Sequence, residues 1–179
     1  MIKTLQELLN DKIAIGIIGK THGLDGELKL HPFTNVPEII ESLTEVVLYN
    51  EKNKVFLLAK IVDMRLGNGV YLIKIQGIEN IENAKKLSGS KVYIDKSELP
   101  PIDKNEYYFY EILDSQVFDE KGNYLGKVDE ILQTGSNDVL VINKNAENEI
   151  LIPVIKDYII TIDKTNKTIV VKIPEWLDW

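Results

Sequence analysis

Cysteine is absent from this chain, arginine occurs once, at Arg65, and histidine twice, at His22 and His31. Without cysteine there is no disulfide scaffold, thiolate zinc site, iron–sulfur cluster or cysteine nucleophile. With a single arginine, a reader of phosphate or guanine built on bidentate guanidinium contacts would be unusual. No uncharged apolar run approaches the roughly 20 residues of a membrane-spanning helix. Met1 to Asp11 contains Lys3, Gln6, Glu7 and Asn10, so it does not read as a signal segment. A cytoplasmic chain with no membrane attachment is the expectation.

What is present is an ordinary globular composition: 179 residues, 44% hydrophobic and 27% charged. That is enough apolar material for one domain or two small ones, and too much for a disordered chain. Asp and Glu total 28 against 21 Lys and Arg, a net charge of −7. Such a field repels phosphate at long range and steers the chain toward basic partners. Local lysine-rich patches remain available for RNA.

β-branched residues dominate the periodic segments. The N-terminal part predicts strands at 13–18, 27–31, 45–49, 55–65, 70–75 and 91–94, each bounded by turn residues. Pro37–Leu43 predicts a short helix, with proline in its first turn. Ile78, Ile81, Ala84 and Leu87 recur every third residue and predict another, closed by Gly89. The stretch 97–106 carries Pro100-Pro101 among polar residues and reads as a linker. Beyond it, turns at even spacing separate strands at 116–118, 125–133, 139–142, 150–152, 159–162 and 169–172. The expectation is a mostly β chain of two small β-barrels in tandem: residues 1–96, a linker at 97–106, and residues 107–179.

Few segments offer chemistry. Ala14 to Thr21 matches part of a phosphate-binding loop, but lacks the first glycine and reads as a strand rather than a loop entering a helix. Ser88-Gly89-Ser90 lacks the spacing of a nucleophile elbow. His22 is expected to shape a glycine turn and His31 to be exposed, with no second ligand nearby. Asp119-Glu120 and Asp129-Glu130 are neighbours, not an opposed pair across a cleft. No catalytic residue, cofactor or metal site is expected. Tyr107-Tyr108-Phe109-Tyr110 is the strongest candidate for binding, as a core plug or an interface anchor, with some rings facing outward if the segment is extended. The tail with Trp176 and Trp179 either packs back or offers a contact.

Several motifs occur together and in order. The first is Gly16-x-x-Gly19-Lys20-Thr21-His22-Gly23-Leu24-Asp25-Gly26-Glu27-Leu28-Lys29-Leu30, then Pro32-Phe33-Thr34. The second is Arg65-x-Gly67-x-x-x-Tyr71-Leu72-x-Lys74, followed by Gly77-Ile78, Ala84, Leu87 and Gly89. The third is Glu106-Tyr107-Tyr108 with Gly122-x-x-Leu125-Gly126-Lys127-Val128, Thr134 to Val141 and Leu151-Ile152-Pro153. Jointly they resemble the ribosome maturation factor RimM family across nearly the whole chain. Two departures are Glu175-Trp176, where the family usually has a glycine after the final proline, and the single arginine.

The resemblance implies an N-terminal barrel like a domain of translation elongation factors, followed by a PRC-type barrel. It implies a non-enzymatic assembly factor, expected to be a monomer. The implied partners are the immature 30S subunit, ribosomal protein S-nineteen in its head, and contacts to 16S rRNA. The family's tyrosine pair maps onto Tyr107 and Tyr108. The competing readings are a hydrolase or phosphotransfer enzyme using the Gly19 to Glu27 loop, and a general RNA-binding barrel.

Overall fold

The computed structural model describes residues 5–104, 106–134 and 136–176. The chain divides into two compact units, 1–102 and 103–179.

The first unit opens with a short helix α1 (Leu5–Leu9) that the sequence reading did not foresee. Then come β1 (Lys12–His22), β2 (Glu27–Pro32), α2 (Pro37–Glu41), β3 (Glu45–Asn50), β4 (Val55–Gly67), β5 (Val70–Ile75), α3 (Ile81–Leu87) and β6 (Lys91–Asp95). The strands close into a barrel in the order β1-β2-β5-β4-β3-β6, with β6 paired to both β1 and β3. Closure removes every free edge. Alternation selects the lining: Leu28 and Leu30 of β2, Val46 and Leu48 of β3, and Val92 and Ile94 of β6 are all buried. Register shifts in β1 and β4 mark bulges that turn long strands around the barrel.

Helix α3 starts later than the apolar spacing suggests. Asn80 is extended and its side chain accepts the Asn83 N–H at 2.9 Å, so the cap fixes the first turn at Ile81. Ile78 therefore stays outside α3, with its N–H on the Ile75 carbonyl. Gly89, with φ of 80°, follows the helix end as expected.

The segment after β6 is a single 3₁₀ turn at Lys96–Glu98 and then the Pro100-Pro101 stretch; Asn105 lies outside the described residues.

The second unit contains α4 (Phe109–Ile112), β7 (Gln116–Asp119), β8 (Tyr124–Gln133), β9 (Asp138–Ile142), β10 (Ile150–Pro153), β11 (Ile159–Asp163) and β12 (Thr168–Val171). The order is β10-β9-β8-β7-β12-β11, with β12 parallel to β7. Strand β8 serves both halves: Tyr124–Lys127 pairs with β7, and Val128–Gln133 with β9. Gly126 stands at the corner with φ of 142°, and a Cβ there would meet the Asn143 side chain at 2.1 Å. That side chain instead donates to the Leu125 carbonyl at 2.8 Å, pinning the bend. Val117, Val128, Leu140, Ile142, Ile152, Ile169 and Val171 form the core. No helix among the described residues is long and apolar enough to cross a membrane.

Candidate partner-binding site

The aromatic run does not alternate, because it enters a helical turn instead of continuing extended. Tyr107, Tyr108 and Phe109 are all buried, at 2%, 3% and 6% exposure, and only Tyr110 faces outward, at 43%. The expectation that some rings face solvent thus holds for Tyr110 alone. Tyr108 is the extended residue before α4, and its N–H is accepted by the Glu111 carboxylate at 2.9 Å. The Tyr107 ring stacks on Phe109 at 6.3 Å, and the Tyr108 ring on Tyr110 at 5.8 Å and 15°. Each buried tyrosine therefore supports a ring two residues on.

Two lysines that carry no signal in the sequence hold this segment. Lys164 donates to the carbonyl of Glu106 and pairs with Glu111 at 3.5 Å. Lys167 donates to the carbonyls of Tyr110 at 2.5 Å and Leu113 at 3.0 Å. These are carbonyls in and just after α4, where a cation also suits the helix dipole. The two lysines flank Thr165-Asn166, in a stretch that the sequence marks only as a turn.

Tyr107 is anchored from β9 as well, its hydroxyl donating to Asp138 Oδ2 at 2.6 Å. Burial, with the bond to Asp138, pushes the Tyr107 hydroxyl far above the ordinary tyrosine range. The Tyr108 hydroxyl is pushed up to about 12, first by burial and then by Tyr110, Glu111 and Glu106. Both remain neutral donors at any physiological pH. Asp138 is itself raised above 3.8 by burial, with the Tyr107 bond acting in the opposite direction. Between 3.8 and that raised value the native state binds more protons at Asp138 than the unfolded chain does. This carboxylate's contribution to stability therefore falls as pH rises through that window, then levels off. Asp138→Asn should flatten that part of the profile. Urea unfolding of both proteins across acid pH checks it, and parallel profiles would contradict the assignment.

The other candidate residues have structural partners. Gly16 and Gly19 lie in β1, and a Cβ there would meet the His31 carbonyl at 2.8 Å and the His31 ring at 2.5 Å respectively. The glycines make room for β2, not for a phosphate. His31 is accordingly half-buried over Gly19 rather than exposed, and burial with the Lys29 charge lowers its pKa. His22 is exposed at the start of the glycine turn. Glu27 is held by Arg65 Nη2 at 3.0 and 3.2 Å. Ser88 Oγ donates to the Gly19 carbonyl at 2.8 Å.

Asp119 accepts N–H groups of Lys121 and Asn123 within its own turn. Asp129 and Glu130 both engage Lys144, through its N–H at 2.9 Å and its ammonium at 2.5 Å, because the register shifts between Val128 and Glu130. Among the described residues no three His, Asp or Glu are grouped to hold a metal ion. Trp176 packs edge-on against Tyr158 at 5.2 Å yet is 63% exposed; Trp179 lies outside the described residues.

Two family models match the chain: the RimM N-terminal domain over residues 13–99 and the RimM PRC barrel domain over residues 110–177. A ribosome maturation factor RimM of Thermosipho africanus is 67% identical over 178 residues, covering 99% of this chain and all of that protein. The chain belongs to the ribosome maturation factor RimM family. A relative of the same name from Thermotoga maritima is 49% identical over 177 residues, with 99% and 100% covered. A solved RimM of Pseudomonas aeruginosa, a 16S ribosomal RNA processing protein by name, is 28% identical to this chain, with 92% of this chain and 98% of that one covered. Its TM-score is 0.47. The Tyr107-Tyr108 pair falls between the two matched domains.

Proposed function

We propose that this chain acts in ribosome biogenesis, binding the immature 30S subunit and promoting 16S rRNA maturation without catalysing a reaction itself. The observation that carries this is the full-length match to relatives named ribosome maturation factors. The net charge of −7 supports a basic partner, and the reading takes that partner as ribosomal protein S-nineteen of the subunit head. The factor acts in the cytoplasm by differential binding, holding one conformation of the immature head and leaving when the mature surface no longer matches.

In this reading Tyr107 and Tyr108 serve binding by fixing the surface that Tyr110 presents. The supporting geometry is the Tyr108–Tyr110 stack, with Lys167 on the Tyr110 carbonyl. Tyr110→Ala removes an exposed ring and should leave thermal stability within about 0.5 kcal/mol, the range of ordinary surface changes. Its association with immature small subunits should weaken at least about tenfold, or about 1.4 kcal/mol. Thermal unfolding checks the first statement and co-sedimentation with pull-down of S-nineteen the second, and unchanged association would remove this face from the interface. We further propose that residues 97–106 link two separately folding parts. Limited proteolysis should cut there first; early cuts within 125–140 would refute the linker.

A further inference from the structure

The turn between β11 and β12 holds both ends of the aromatic segment. Asp163 builds this turn, its carboxylate accepting the Asn166 N–H at 2.9 Å and the Asn166 side-chain amide at 2.7 Å. The Lys167 carbonyl accepts the Gln116 N–H at 2.8 Å, at the start of the parallel ladder between β7 and β12. The turn is therefore rooted in the sheet, and its two lysines reach out from a fixed base. Lys164 serves the buried end of the segment, at Glu106 and Glu111. Lys167 serves the end that carries the exposed Tyr110 ring.

A break in the helical ladder makes room for Lys167. In a continuing helix the Asp114 N–H would be accepted by the Tyr110 carbonyl, one turn earlier. Asp114 instead has φ of 63° and donates to the Val128 carbonyl at 2.9 Å. The Tyr110 carbonyl loses its helical donor, and the Lys167 ammonium takes it together with the Leu113 carbonyl. Tyr110 is then fixed at two points, its carbonyl by Lys167 and its ring by the Tyr108 stack. Lys167 itself has a left-handed backbone, φ of 54°, which glycine adopts without steric penalty. Lys54 shares that conformation, with φ of 55°, so the backbone alone assigns no role.

We propose that Lys167 is a positioning residue for partner binding: it sets where the Tyr110 ring stands and acts through that ring rather than by a contact of its own. The inference rests on the reading that the Tyr110 face meets the partner. Lys164 differs from it. Its ammonium lies among largely buried groups and pairs with the equally buried Glu111, so it carries stability instead.

Lys167→Gly in the full chain is the test, since it removes the side chain and relieves the left-handed backbone in one change. Its melting temperature should stay within about 5 °C of the parent's. Association with immature small subunits, read by co-sedimentation, should weaken at least about tenfold, or about 1.4 kcal/mol. In chains labelled with meta-fluorotyrosine, the Tyr110 fluorine resonance, identified by its loss in Tyr110→Phe, should move. Lys167→Arg keeps a cationic donor near both carbonyls, and should hold the resonance and the association at the parent's values. Lys54→Gly, with the same backbone relief, should change neither.

Unchanged association in Lys167→Gly would overturn the inference, as would a loss of association matched by a loss of stability. So would an arginine variant that fails as the glycine variant does. Weakened association in Tyr110→Ala beside an unaffected Lys167→Gly would remove this role and keep the Tyr110 face. Unaffected association in Tyr110→Ala would remove the face, and with it the binding role of Lys167, while a moved resonance would still show its hold on the ring.

Discussion

Replacing Tyr107 and Tyr108 together by alanine is expected to destabilise the second unit by at least about 5 kcal/mol, since each buried aromatic-to-alanine change costs about 3–5 kcal/mol. Both side chains are all but inaccessible, and their loss also removes the support beneath Phe109 and Tyr110. The half-buried Asp138 carboxylate would lose its donor in the same step. Small-subunit association should fall with stability, so this variant alone does not separate interface from scaffold. Tyr107→Phe does separate them: it keeps the ring and removes only the hydroxyl donated to Asp138. Its expected cost is about 1.5–3 kcal/mol, the range for a hydrogen bond to a charged group. Both tryptophans lie in the second unit, so urea unfolding followed by their fluorescence reads the right transition. A double variant as stable as the parent would show that the two rings are not core.

Gly26→Ala is expected to cost about 3 kcal/mol, whereas Gly23→Ala, three residues earlier in the same turn, should cost about 1 kcal/mol. Both glycines have left-handed φ, 64° at Gly23 and 77° at Gly26, so both substitutions carry the backbone penalty of about 1–2 kcal/mol. The difference is space. A Cβ on Gly23 meets nothing within 4 Å. One on Gly26 would lie 2.5 Å from the Ile78 carbonyl oxygen and 3.1 Å from the Asn80 N, both backbone atoms. Neither can yield without moving the residue that caps α3. The loop after β1 is therefore docked against the start of α3, and the glycine is required by that contact. Denaturation followed by circular dichroism should rank the two variants in this order; equal costs would remove the packing argument.

The sequence by itself determined the strands, the turns and the family. Leu28 and Leu30 alternate with Glu27, Lys29 and His31, and the first set is buried, because a pleated strand has period two whatever it packs against. Paired glycines, Pro100-Pro101 and evenly spaced polar turns carried the division into two β units for the same local reason. The absence of any thiolate was likewise a matter of residue type.

What tertiary structure decided were facts that depend on contacts distant in the chain. The start of α3 was set by Asn80, one local residue, but the need for Gly26 came from Ile78, far along the sequence. His31 looked exposed by alternation and is half-buried because Gly19 admits its ring. The four aromatics read as an extended run, yet Lys164 and Lys167, more than fifty residues on, hold the carbonyls of a helical turn that buries three of them. Apolar residues at Phe56 and Leu58 matched a buried strand equally well, and only closure of the barrel turned that face outward. Local pattern fixes which faces a strand has. Which of them meets water depends on the partner strand, and that is settled by long-range pairing alone.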